Sequence, residues 1–472
     1  MLGFESISEF IVYVTFIFFG MSVMMVSNAI YSIPDFFGAY YKYAQGLPDV
    51  EPEDPVFWRN MFTYYNAVVF TAQVTLEAFM LTNAGRRIPI KLRLIFGLTV
   101  PLVEIAVILI IPVVHTTEAG AKATVMLVAL VGGISKTLCD SSNAALVGPF
   151  PTRFYGAVVW GLAISGLITS LLSIIIKAAM DEDFDSVIKQ SRIYFGIVIV
   201  IQLAACVLLS LLTTNPYAMR YAAEFRYANK KNDGTAETDG TKNCPDTEAN
   251  DQDGEEKPAE NANEDDAEVK NVLTNTMDPD KMKDTDQVDN ITNAQQMLNA
   301  SVSVVVKRIW PMLLACFFVF FATLLIFPGV FFAVDLKLMT EAELKWYHTI
   351  IVAMFNFGDF FARLFLQFKS LRPSPRFVLI GTFARILLVI PLSLSVHSII
   401  KGVAVPWIVS FLWGLSNGYY GGMAMIYGPR TGSLTTAGQR SLAAICTNLG
   451  LLLGLFAGAM FALAVKEALP EW

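Results

Sequence analysis

Residues 191–213 read SRIYFGIVIVIQLAACVLLSLLT, a run of 23 residues whose only charge is Arg192. About 20 apolar residues wound as a helix span the hydrocarbon core of a bilayer. Helices that are apolar all round are buried in a large core or in lipid. Five comparable runs precede this one, at roughly 9–33, 62–83, 92–114, 121–147 and 152–179. Five more come after it, at roughly 305–333, 347–369, 375–397, 404–427 and 438–466. The expected fold class is an all-α polytopic membrane protein with 11 transmembrane helices. Short alternating stretches, the mark of a membrane barrel, are missing.

Beyond residue 213 the chain changes character. Between Asn232 and Asp289 there are 19 Asp and Glu against 5 Lys, so this stretch carries −14. The whole chain holds 41 acids and 34 bases, which leaves 22 acids and 29 bases elsewhere, a balance of +7. The stretch 229–300 lacks the apolar residues to offset its ordering entropy and is expected to be mostly disordered. Three regions result: an N-terminal lobe over 1–213, an acidic loop over 214–304 and a C-terminal lobe over 305–472. A six-plus-five division with a long central loop suits a secondary transporter, whose site lies between lobes near the midplane.

Lys and Arg in short loops mark the cytoplasmic side. Arg86, Arg87, Lys91 and Arg93 come after helix 2, and Lys369, Arg372 and Arg376 after helix 8. Arg220, Arg226, Lys230 and Lys231 open the acidic loop, and Lys307 and Arg308 close it. All lie on one side by parity, which places the N-terminus in the cytoplasm and the C-terminus outside. Helix 1 has no Lys or Arg before it and reads as a retained anchor. The sequons at Asn290 and Asn299 then face the cytoplasm. The outer loop near 34–61, with Pro48, Pro52 and Pro55, is expected to be extended in part.

Several function classes are excluded. No basic patch interleaved with aromatics points to nucleic acid. The cysteines at 139, 206, 244, 316 and 446 and the three histidines lack metal or disulfide spacing, so no cofactor or metal is expected. Hydrolase and P-loop signatures are absent.

Charges inside apolar runs are functional by default, since each costs several kcal/mol near the bilayer centre. Asp359 and Arg363 stand four apart in Phe355-Asn-Phe-Gly-Asp-Phe-Phe-Ala-Arg363, with Asn356 on the same face. Such a pair offers a carboxylate for a vicinal diol and a guanidinium fork for ring atoms. Lys136, Asp140 and Asn143 repeat the pattern on helix 4. There the carboxylate is suited to accept from an amine or ring N–H. Glu77 and Glu104 have no partner on their own helices and are proton-coupling candidates. They equally suit a structural network with Lys136 or Arg385, which itself sits where it can reach the cytoplasmic interface. Glycine stripes at Gly450, Gly454 and Gly458, and at Gly161 and Gly166, fit close helix packing.

The stretch Asn356-Phe-Gly-Asp359-Phe-Phe-Ala-Arg363 resembles the helix 8 signature of the equilibrative nucleoside transporter family, with Ala362 where Gly is usual. Pro149-Phe-Pro151, Gly428-Pro-Arg-Thr-Gly-Ser433 and the Gly20 to Asn28 stretch are similar to further landmarks of that family. The opening Met-Leu-Gly-Phe, Tyr-Tyr-Gly-Gly and Arg-Thr-Gly-Ser-Leu-Thr-Thr-Ala-Gly look closest to purine transporters of trypanosomes and related organisms. The resemblance implies an MFS-like fold and a plasma-membrane purine nucleoside carrier, proton-coupled, serving purine salvage. It implies that Asp359 and Arg363 contact the nucleoside, that Asp140 selects the base, and that Ser27 replaces a stacking tryptophan. A nucleobase carrier on the same scaffold stays open as an alternative, and a channel or receptor as one of another class. The expected partners are a purine nucleoside, the lipid bilayer and protons, with no nucleic acid. Sequence does not set an oligomeric state.

Overall fold

The computed structural model describes residues 4–181, 183–225, 293–327, 329–332 and 340–468. The architecture is all-helical. We label the long helices α1 (Ile7–Ser32), α2 (Met61–Met80), α3 (Ile90–Val114), α4 (Glu118–Val147), α5 (Thr152–Ala179) and α6 (Phe184–Thr213). Beyond the acidic stretch come α7 (Val302–Ile326), α8 (Glu341–Phe365), α9 (Pro375–Val396), α10 (404–427) and α11 (Ala437–Ala468). A π turn at Asn417–Gly421 interrupts α10.

Eight helices among the described residues are long and apolar enough to cross a membrane. The three that fall short, α2, α8 and α10, carry polar residues in mid-helix: Gln73 and Glu77, then Asn356, Asp359 and Arg363, then Asn417. Exposed apolar residues form the stripes that lipid contact requires. On α3 these are Phe96, Val103, Val107 and Ile110, and on α6 Val200, Leu203 and Val207.

α1 packs on α5 and α6, and α4 on α2 and α3. α7 packs on α11, and α8 on α10. The earlier and later helices meet chiefly along three seams, α5 with α8, α4 with α11, and α2 with α11, and α10 also touches α5. Gly20 and Gly161 let α1 and α5 touch through their backbones. A Cβ at Gly161 would stand 2.2 Å from the Ile17 carbonyl oxygen. The α11 stripe works in the same way, with Gly454 and Gly458 against the Phe317 and Phe321 carbonyls of α7. Gly161→Val is expected to destabilise the protein by at least about 1–3 kcal/mol, the ordinary range for overpacking. Gly196→Ala, with nothing within 4 Å of the added Cβ, is expected to keep or raise stability, by up to about 1 kcal/mol, since alanine is the better helix former. Thermal unfolding of detergent-solubilised protein reads both, and equal melting of the two variants would refute the close-packing account.

Two loops are more ordered than expected. The 33–60 segment is largely folded into short helices, Pro34–Gly38, Tyr40–Gln45 and Pro55–Arg59, and its main non-helical stretch is 46–54, around Pro48 and Pro52. The buried Glu118 carboxylate at the start of α4 holds it, accepting from Glu53 N at 2.6 Å, Asp54 N at 3.2 Å and Trp58 Nε1 at 2.9 Å. Asp54 pairs with Lys122 at 3.1 Å. The Phe57 N–H, and then Lys122, hold the Asp54 carboxyl below its ordinary value. The second correction concerns the acidic loop. Its last part is ordered: Asn293–Leu298 is a helix, with Ala294, Met297 and Ala300 buried. Arg86 fixes it by donating from Nη1 to the Met297 and Ala300 carbonyls at 2.8 and 2.9 Å. Three apolar side chains and one buried cation suffice there, although composition favours disorder. The expectation for 229–292, Cys244 included, falls outside the described residues.

Candidate substrate site

α8 presents Asp359 and Arg363 on one face, and the structure pairs them. Arg363 Nε lies 2.9 Å from Asp359 Oδ2, and Nη2 donates to Oδ1 at 3.2 Å. Both residues are buried, at 7% and 6% exposure. A second donor to Oδ1 comes from α10, Asn417 Nδ2 at 2.8 Å. The Asn417 carbonyl oxygen accepts in turn from Thr323 Oγ1 of α7 at 2.8 Å. Asn417 opens the π turn, and such turns recur at functional sites. Gly418 on the next position makes room, since a Cβ there would lie 2.5 Å from the Asp359 carbonyl oxygen. Asn417 and Thr323 are not singled out by charge or spacing. An asparagine inside a glycine-rich apolar run is the signal that marks the first of them.

Arg363 also reaches across the seam to α5, donating from Nη1 to the Val159 carbonyl at 3.2 Å. Asn356 does the same higher on that seam, donating to Ser170 Oγ at 2.7 Å. Gln367 closes it lower down, donating to the Gly156 carbonyl at 2.9 Å. Asn356 is thus a seam contact one turn from the ion pair.

The α4 residues separate. Asp140 is buried and lies beside Asn448 of α11, with Lys136 and Arg363 as the cations in electrostatic reach. Lys136 and Asp140 form no ion pair, although four residues apart. Lys136 instead lines a small cavity enclosed by α1, α2, α3 and α4, together with Ser27 and Glu104. Asn143 is fully buried, its amide directed at the Phe19 carbonyl, 3.4 Å away, and at Cys139 Sγ. Glu77 sits on the α2–α11 seam and accepts from Asn448 Nδ2 at 3.2 Å. Asn448 therefore stands between Glu77 and Asp140.

Arg385 does not reach the membrane interface. It is 3% exposed, donates to the Val319 and Trp413 carbonyls at 2.9 and 3.3 Å, and lies 4.2 Å over the Trp413 ring. The long side chain folds inward because two carbonyls and an indole face replace water.

The seam thus gathers two carboxylates, a guanidinium and two carboxamides: Asp140, Asp359, Arg363, Asn417 and Asn448. An arginine has five N–H donors and a carboxylate about four acceptor directions. The hydrogen bonds above commit two of Arg363's donors and two of Asp359's directions, leaving both able to bind a polar solute. Among the described residues no cluster of His, Cys, Asp and Glu could hold a metal ion.

A family model described as "Nucleoside transporter" matches residues 125–467. The chain belongs to the nucleoside transporter family. It is 45% identical to Nucleoside transporter 2 of Leishmania donovani, over 98% of this chain and 95% of that one. Nucleoside transporter 2 of Crithidia fasciculata is 44% identical, with the same coverage. Nucleoside transporter 1.2 of Leishmania donovani is 33% identical over 95% of this chain and 91% of its own. Among solved structures, a proton:xylose symporter of the major facilitator superfamily matches with a TM-score of 0.58 at 13% identity, covering 97% of this chain and 89% of that one. A bacterial homologue of the iron transporter ferroportin matches at 0.51 and 11%, covering 98% and 93%. These likenesses establish an MFS-like fold. The family member is a multi-pass membrane transporter and not an enzyme.

Proposed function

We propose that this protein carries purine nucleosides across the plasma membrane by alternating access of two lobes, 1–213 and 305–472, in symport with protons. All eleven long helices cross the bilayer in this reading, with the N-terminus in the cytoplasm and the C-terminus outside. The observation that carries it is the Asp359–Arg363 pair, set by Asn417 and lying in electrostatic reach of Asp140 on the seam between early and late helices. A carboxylate with acceptor capacity left suits the ribose diol. The guanidinium beside it suits ring acceptors. Asp140, across the seam, suits a base edge that presents N–H donors. Glu77 and Glu104 are the buried carboxylates available for coupling. Relatives named as nucleoside transporters and an adenosine transporter support the substrate class.

The test is uptake of radiolabelled adenosine, inosine and hypoxanthine by purine-transport-deficient cells expressing the chain, with and without a protonophore. Saturable nucleoside uptake that collapses with the proton gradient is expected. Uptake of hypoxanthine alone would move the site to a nucleobase carrier.

A further inference from the structure

Glu104 is a buried carboxylate that the substrate site leaves unused. It is 4% exposed, and Ser135 Oγ donates to its Oε1 at 2.6 Å. It lines the cavity between α1, α2, α3 and α4, which offers about 20 Å³, the space of roughly one water. Ser22 and Ser27 of α1, Tyr65 of α2 and Ser135 and Lys136 of α4 complete its polar wall. Gly97 and Pro101 of α3 stand in the same wall. The chamber thus joins a carboxylate and several hydroxyls, which is what an ordered water needs. Among the described residues, no Lys, Arg or His lies within ion-pair distance of Glu104.

We propose that this chamber, apart from the substrate seam, is where the transporter takes up its coupling proton, and that Glu104 carries it. The inference rests on the symport reading above. A proton from the outer solution passes through chamber water to the carboxylate, and it leaves to cytoplasmic water once the lobes have rocked. No electrons move. The ionised carboxylate only accepts, whereas the protonated one also donates. The change therefore reverses a hydrogen bond on α4, the helix that carries Asp140 five residues beyond Ser135. The other titratable groups around the chamber are Tyr65 of α2 and Lys136 and Cys139 of α4, with Asp140 one residue past the wall. α1 offers serines alone. α6, packed outside α3, presents Gln202 and Cys206, both directed at the Leu98 carbonyl. Glu77 lies apart from this chamber: it is absent from the cavity wall and its Oε1 accepts from Asn448 on the α2–α11 seam.

Glu104→Gln tests the assignment with two readouts in the same cells. Counterflow of labelled adenosine needs the substrate site but no gradient. Uptake driven by an imposed inward proton gradient needs coupling. The expected result is retained counterflow, loss of gradient stimulation and a flat pH profile. A Glu104→Gln carrier that still concentrates adenosine on the proton gradient overturns the proposal. So does a parent protein driven by sodium or by no gradient at all. Absence of counterflow in the parent overturns the nucleoside reading as well. If Glu104→Gln fails to reach the surface, Gly132→Ala decides, because its Cβ would come within 3.1 Å of Glu104 Oε2 and crowd the carboxylate without removing it. A shifted pH midpoint in that variant supports the proposal, and an unshifted one overturns it.

Discussion

Asp359→Ala is expected to abolish saturable nucleoside uptake and to lower the amount of protein at the cell surface. Two separate losses combine. Arg363 keeps the Val159 carbonyl as its hydrogen-bond partner and loses its ion-pair partner, with only the more distant Asp140 left as a counter-charge. Removing one member of a buried pair typically costs about 3–5 kcal/mol, because the other charge is left uncompensated. Asn417 Nδ2 also loses its acceptor, which uncouples α8 from the Asn417–Thr323 bond between α10 and α7. Removing both charges, as Asp359→Ala with Arg363→Leu, is expected to restore surface expression while uptake stays lost. Surface labelling beside adenosine uptake separates the two effects. Normal uptake by a normally expressed Asp359→Ala protein would dismiss the pair from the site.

Asp140→Asn is expected to behave in the opposite way, with expression kept and selectivity lost. Asp140 makes no ion pair within 4 Å, and an asparagine fills nearly the same volume beside Asn448. The variant loses a charged acceptor and little else. A hydrogen bond to a charged group is worth about 1.5–3 kcal/mol, so KM for the preferred purine should rise roughly ten- to hundredfold. A competition series with adenosine, inosine and guanosine would show the ranking flatten. Unchanged KM values across that series would place base selection on other residues.

The contrast between these residues shows how much the sequence makes legible. Spacing of four, acid first, correctly predicts that Asp359 and Arg363 meet, because i and i+4 share a helix face. The same spacing in Lys136 and Asp140 leads to no contact. A flexible lysine stem can turn either way, and here it lines a cavity between α1, α2, α3 and α4. Arg385 looks, by position alone, as if it could reach the interface. It lies buried on the Trp413 ring, because that indole and two carbonyls stand ready to receive it.

Composition and periodicity by themselves determined the membrane class, the approximate positions of the helices and the identity of the charges that lipid would not tolerate alone. Those properties depend on local apolar length and on the cost of burying charge, which neighbours hardly alter. The family emerged from short motifs that survive in the chain. Only the tertiary structure decided which charges share a site. It joined Asn417, Thr323 and Asn448 to the pairs, sent Asn143 and Asn356 to packing seams, and set Glu104 in a separate chamber. Helices distant in sequence supply those partners, and no spacing along one helix encodes the distance to another.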